Sequence, residues 1–244
     1  MSHVILIPER FALGDVISFK ARRVPSIKCD RLTICCPEAW RFLFPTASDF
    51  IDVDEILTAE QSEIIINSLK KKYPDAEFIC ISRKYDDNLD LEVSIPDRFS
   101  EKTDILIAPR KKTFHSTHRN WQFWPFLANE LIKAGLKIKS IGKADMSYDC
   151  GIPIVEDLRD ISAHMLQTRF VVSTDSAFAH LAILLKIPLI VLWGTPIGVI
   201  PGQKYRDGCH GRMETHKKSF LLHLEGVWDN PDLAVSEILK IFNK

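Results

Sequence analysis

Phe170-Val171-Val172-Ser173-Thr174-Asp175-Ser176-Ala177-Phe178-Ala179-His180-Leu181-Ala182 decides the fold. Three consecutive aromatic or β-branched residues without polar alternation mark a strand buried on both faces. Four small polar residues break the run, and the segment beyond them has helical character. A buried strand turning directly into a helix is half of a parallel-sheet β/α unit. The junction also has chemical meaning. First-turn amides of a helix lack internal partners and together carry about half a positive charge, so small hydroxyl residues at this spot suit a phosphate or pyrophosphate. Thr174, Asp175 and Ser176 are the candidates, with His180 one turn further along the same face. A plainer reading stands beside this one: Asp175 or Ser176 caps the helix, and His180 is a satisfied core histidine.

Outward from this stretch, short apolar runs alternate with segments of helical period along the whole chain. In the front half, strands are expected at Val4–Pro8, Arg31–Cys36 and Ala76–Ile81, with helices at Val16–Arg23 and Ala59–Tyr73 and a short helix opened by Pro37. Leu89–Lys102 has the poorest pattern and carries the turn Pro96-Asp97, which places the linker there. The rhythm then restarts. Strands are expected at Ile105–Ala108, Lys137–Ile141, Ile152–Val155, Phe170–Ser173 and Leu189–Trp193, and helices at Phe123–Ala134, Ile161–Gln167, Ser176–Leu185 and Pro231–Phe242. Gly194–Leu224 reads as a looser segment. The expectation is an α/β protein of two Rossmann-like domains with parallel sheets, residues 1–100 and 101–244, facing each other across a ligand-binding cleft.

Composition agrees with this class. The chain has 244 residues, 46% hydrophobic and 26% charged, and Lys plus Arg equal Asp plus Glu at 32 each. A core of that size needs neither disulfides nor a structural metal. Zero formal charge argues against a surface tuned for nucleic acid or an acidic membrane, although the first hundred residues are slightly acidic and the remainder slightly basic. Six cysteines without a C-x-x-C pair read as reduced thiols. With no basic leader and no apolar run near 18 residues, the expectation is a cytoplasmic protein without a transmembrane segment.

Two further segments could carry chemistry. Arg110-Lys111-Lys112-Thr113-Phe114-His115-Ser116-Thr117-His118-Arg119 contains no acid and joins a strand end to a helix, so it belongs to the same sheet edge as Asp175. Cations there would neutralise a departing diphosphate; a solvated loop is the alternative. His115 and His118 without nearby carboxylates make a poor metal site. Leu13-Gly14-Asp15-Val16 follows the first strand, where Asp15 would accept a proton from an attacking hydroxyl or, more plainly, sit in a turn. Dinucleotide, Walker, nucleophile-elbow and zinc-deaminase signatures are all missing, which weakens those enzyme classes.

Together the three segments resemble the heptosyltransferase-like glycosyltransferases, glycosyltransferase family 9, which have the two-domain GT-B arrangement. Leu13-Gly14-Asp15-Val16 is similar to that family's G-D-V loop, which implies that Asp15 is the catalytic base. Arg119-Asn120-Trp121 resembles the basic-x-Trp element opening the second domain, which implies that Arg119 faces the donor phosphates. Asp175–Ala182 with Ile187-Pro188-Leu189 and Trp193-Gly194-Thr195-Pro196 resembles the D-S/T-G-x-x-H-L-A segment and its following turn. Ala177 replaces a glycine of that pattern, Gln122 a proline, and the front domain is short for the family.

The resemblance implies inverting, metal-independent transfer from a nucleotide-diphosphate sugar to a hydroxyl of a glycan or lipid-linked saccharide. Asp15 would act as base. Arg119, Lys111 or Lys112, Thr174, Asp175, Ser176, His180, Gly194 and Thr195 would line the donor site, with no cofactor. The alternatives are a non-catalytic nucleotide-sugar-binding module of the same fold, a transferase acting on a modified nucleic-acid base, and a sugar-nucleotide epimerase.

Overall fold

The computed structural model describes residues 2–8, 27–53, 59–81, 102–111, 119–193, 221–224 and 226–243. The chain divides into two compact units, Met1–Ile95 and Pro96–Lys244. The first holds strands β1 (His3–Pro8), β2 (Arg31–Cys35), β3 (Asp49–Ile51) and β4 (Glu77–Ile81), with helix α1 (Ala59–Lys72). All strand pairs are parallel, in the order β3-β2-β1-β4. The central strand explains its own sequence: flanked on both edges and covered on both faces, β1 buries Val4, Ile5, Leu6 and Ile7 in succession, so no polar alternation survives. Pro37 precedes the short 3-10 helix Glu38–Leu43 instead of opening it. The helix expected over Val16–Arg23 lies outside the described residues.

The second unit contains β5 (Thr103–Ala108), α2 (Trp124–Lys133), β6 (Ile138–Ile141), β7 (Ile154–Val155), α3 (Leu158–Leu166), β8 (Thr168–Ser173), α4 (Ala177–Leu184), β9 (Leu189–Leu192), β10 (Leu221–Leu224) and α5 (Pro231–Phe242). Its sheet is again parallel, in the order β10-β9-β8-β5-β6-β7. The chain winds outward from β5 through β6 to β7, returns to the far side of β5 at β8, and winds outward again. The direction reverses between β5 and β8, the place where open α/β sheets bind ligands at the strands' carboxyl ends.

Three local features differ from expectation. Helix α3 starts one turn early, because the Asp157 carboxylate accepts from the Arg159 and Asp160 amides and caps it there. Strand β10 forms at the end of the segment read as loose, where four residues pair with β9. Strand β3 is a three-residue edge strand whose half-buried side chains carry no readable period.

The core beneath the second sheet is anchored by two tryptophans. Trp121 and Trp124 are fully buried, with ring centroids 5.3 Å apart and an interplanar angle of 87°. Edge-to-face pairs of this kind contribute about 0.5–1.5 kcal/mol beyond their burial. Helix α2 packs on α5, and Gly135, at φ +83°, ends α2 in the left-handed conformation that other residues adopt only with strain. Among the described residues no helix is long and apolar enough to cross a membrane.

Candidate functional site

The register between β5 and β8 sets the site. Ala108 pairs with Ser173, so two residues onward Arg110 and Asp175 leave neighbouring strand ends at the reversal point. Arg119 reaches the same place: its Nη1 lies 3.0 Å from Asp175 Oδ2. His180 approaches from α4, with Nε2 3.8 Å from Asp175 Oδ1. The Asp175 side chain is only 6% exposed and that of Arg119 23%, so this pair is largely withdrawn from water.

The spacing of Arg119 and Trp121 now has a physical reason. The buried Trp121 indole donates to the Val227 and Trp228 carbonyls, each at 3.2 Å. That anchor ties the segment entering α2 to the segment entering α5. Arg119, two residues earlier, is thereby presented from a fixed point, which favours a preorganised cation over a swinging one.

Helix α4 begins at the same edge. Ser176 is its N-cap and accepts from the Ala179 amide at 3.4 Å. The Ser173 hydroxyl donates to the Thr174 carbonyl at 2.8 Å, so the 2.7 Å contact between Ser173 and Ser176 must use the Ser176 proton. Ser176 is thus engaged as a cap, in line with the plainer of the two sequence readings, and the groups left facing the edge are first-turn amides. Thr174 is buried, and its Oγ1 has no hydrogen-bond partner among the described residues.

Arg110 is the residue that the sequence reading passed over. It was legible only as the first position of a basic run, and strand register was needed to set it beside Asp175. Its Nη1 is buried without a hydrogen-bond partner among the described residues. Burial pulls the guanidinium down to about 10, and the like charge of Arg119 adds to the effect, which Asp175 only partly offsets.

Lys111 takes another course. Its amide donates to the Met146 carbonyl at 2.6 Å, and its ammonium lies 5.6 Å from the centre of the Tyr148 ring. Arg110 and Ser147 form an isolated antiparallel bridge that closes the loop after β6. Gly142 opens that loop at φ +137°, where a Cβ would come 2.8 Å from Ser147 Oγ and 3.5 Å from the Phe178 ring of α4. Arg119, Thr174, Asp175, Ser176 and His180 therefore meet at one sheet edge, while Lys111 turns toward Tyr148. Asp15, Lys112, Gly194 and Thr195 lie outside the described residues. No three potential metal-ligating side chains gather among the described residues.

No protein-family model matches the sequence. No curated protein is significantly similar to it. Solved structures are similar in fold. E. coli ADP-heptose LPS heptosyltransferase II aligns with a TM-score of 0.60 at 12% identity, over 99% of this chain and 98% of its own. A glycosyl transferase family 9 protein from Veillonella parvula aligns with a TM-score of 0.58 at 11% identity, over 97% and 89% respectively. For TibC, an iron-containing dodecameric glycosyltransferase from enterotoxigenic E. coli, the values are 0.52 and 15%, over 83% of this chain. The chain spans 63% of that protein's length. At these identities the likeness establishes the fold: two parallel Rossmann-like sheets of the kind found in heptosyltransferases of GT-B type.

Proposed function

We propose that the protein is a glycosyltransferase that takes its sugar from a nucleotide-diphosphate donor held by the second unit. The observation that carries this reading is the Arg119–Asp175 contact at the reversal point of a Rossmann sheet, with His180, Arg110 and the α4 amides around it. A diphosphate needs fixed positive groups at a strand–helix junction, and among the described residues this edge supplies the guanidiniums of Arg110 and Arg119 against the carboxylate of Asp175. The fold likeness to heptosyltransferases supports the same class, and makes ADP-sugars the first donors to examine.

In the proposed reaction Asp15 takes the proton of the acceptor hydroxyl, whose oxygen attacks the anomeric carbon from the face opposite the phosphate. The sugar–oxygen bond breaks with its electron pair left on the terminal phosphate, and configuration at that carbon inverts. Arg119, Arg110 and the first-turn amides of α4 stabilise the charge that grows on the leaving diphosphate. Each preorganised donor of this kind is worth about 3 kcal/mol in related chemistry. Asp175 holds Arg119 in place and orients donor hydroxyls. The acceptor in this reading is a hydroxyl of a glycan or lipid-linked saccharide, taken by a first lobe reduced in size.

The test is the Asp15→Ala variant, assayed with a panel of nucleotide sugars and saccharide acceptors. Donor binding should persist while turnover falls by orders of magnitude. Unchanged turnover removes Asp15 from the chemistry, and sugar release from no donor by the wild-type protein overturns the transferase reading.

A further inference from the structure

The direction of Arg110 is not set by the strand it follows. The Arg110 amide donates to the Ala108 carbonyl at 2.8 Å, a turn centred on Pro109, so the side-chain alternation of β5 ends before it. A second segment fixes it instead. Lys111 donates its amide to the Met146 carbonyl at 2.6 Å, and Tyr148 donates its own to the Pro109 carbonyl at 2.7 Å. These bonds make Arg110 and Ser147 the non-hydrogen-bonded pair of a short antiparallel ribbon, residues 109–111 against 146–148. Directly opposed residues share a face, so Arg110 lies with Ser147 and the flanking pairs take the other side. Resting on the donor-site reading above, we propose that Tyr148 is a positioning residue: by seating the rear face of this ribbon on the core and holding Lys111 there, it turns Arg110 toward Asp175 and the diphosphate.

Contacts on the two faces agree with this assignment. The rear carries Pro109, Lys111, Met146 and Tyr148. Tyr148 packs against the core that contains Trp121 and Trp124, and the Lys111 ammonium lies 5.6 Å from the centre of its ring. A cation over an aromatic ring is attracted by its quadrupole, and here that attraction keeps Lys111 on the rear face. The front carries Arg110 and Ser147. Ser147 Oγ is 2.8 Å from where a Gly142 side chain would begin, and the Phe178 ring of α4 is 3.5 Å from the same point, so this face looks toward α4. There Arg110 feels the charges of Arg119 and Asp175. Its buried Nη1 has no hydrogen-bond partner among the described residues, so the ribbon backbone and not a bond at that nitrogen gives it its orientation. A cation presented in advance loses less on meeting an anion than one that must first be ordered.

The experiment is calorimetric titration of the full chain with ADP, UDP and GDP, with circular dichroism to verify folding. The proteins are the wild type, Arg110→Gln, Tyr148→Ala, Tyr148→Phe and the double variant Arg110→Gln, Tyr148→Ala. For the diphosphate that binds best, Arg110→Gln and Tyr148→Ala should each weaken binding at least about fivefold, and the double variant should be no more than about twofold weaker than Arg110→Gln, because both changes remove the same contact. Tyr148→Phe keeps the ring and should stay within about twofold of the wild type. Lys111→Pro deletes the amide bond to Met146 from an exposed position and opens the ribbon without touching the core. It should reproduce the loss, again without adding to Arg110→Gln, and it stands in for Tyr148→Ala if that variant does not fold. Wild-type affinity in either ribbon variant, a loss that adds to that of Arg110→Gln, or a Tyr148→Phe as weak as Tyr148→Ala overturns this proposal and leaves the donor site intact. Wild-type affinity in Arg110→Gln overturns it by removing Arg110 from the site. Binding of no diphosphate by the wild type overturns the donor site together with it.

Discussion

Arg119 Nη1 stands 3.0 Å from Asp175 Oδ2, and this ion pair joins a basic loop to the strand–helix turn from which a nucleotide site would be built. The pair makes the first prediction comparative. Arg119→Ala should weaken nucleoside diphosphate binding at least about tenfold, equivalent to about 1.4 kcal/mol. Lys70→Ala, on an exposed position in the last turn of α1, should stay within about twofold. Calorimetry on both variants decides it, and equal losses would remove Arg119 from the site.

Asp175 has the opposite role, because it stabilises the empty site by offsetting positive charge. In Asp175→Asn, the like charges of Arg119 and Arg110 lose the carboxylate charge that offsets them. Unpairing a buried ion pair costs about 3–5 kcal/mol, and the partial exposure of Arg119 puts this case near the lower figure. Urea unfolding should register that loss. Millimolar pyrophosphate should then recover more stability in the variant than in the wild type, since a ligand that binds only the folded state stabilises it. A variant as stable as the parent, or one that gains nothing from pyrophosphate, would contradict the charge balance described here.

The sequence made most of this site legible, and the exceptions share a cause. The Val4–Ile7 and Phe170–Val172 runs announce central parallel strands because burial on both faces removes every polar side chain. Arg119 is signalled by the resemblance of Arg119-Asn120-Trp121 to a basic-x-Trp element, and Asp175 by its place at a strand–helix turn. What local pattern cannot carry is register. Arg110 matters because Ala108 pairs with Ser173, a fact set by two strands 65 residues apart in the chain. Strand β10 was hidden for the same reason, since three leucines and a histidine become a strand only when β9 offers an edge. Strand β3 lies at the opposite limit, being too short to show a period.

Gly142 supports the edge from the side of β6. At φ +137° the backbone is in a region that residues with a Cβ rarely adopt, and the added carbon would meet Ser147 Oγ at 2.8 Å. Gly142→Ala should cost about 1–3 kcal/mol in unfolding free energy. Adding Ser147→Ala relieves the contact but not the backbone strain, so the double variant should recover only part of the loss. Full recovery in the thermal melt would show that the contact alone was responsible.

Cys35 and Cys36 give a prediction that depends on pH and tests the first unit separately. Both are fully buried, and burial raises each thiol from an ordinary value of 9.0 to about 12. The folded state therefore holds its thiol protons over a range where the unfolded chain has released them. A folded value above the unfolded one gives a contribution that is complete below about pH 9 and is lost as pH rises toward about 12. The urea midpoint should fall across that interval, and less steeply in a Cys35→Ala, Cys36→Ala double variant. At pH 8, iodoacetamide should label the half-buried Cys29 before either of them, with urea abolishing the difference. Rapid native labelling of Cys35 and Cys36, or identical alkaline slopes for the two proteins, would mean that these thiols are not sealed beneath the first sheet.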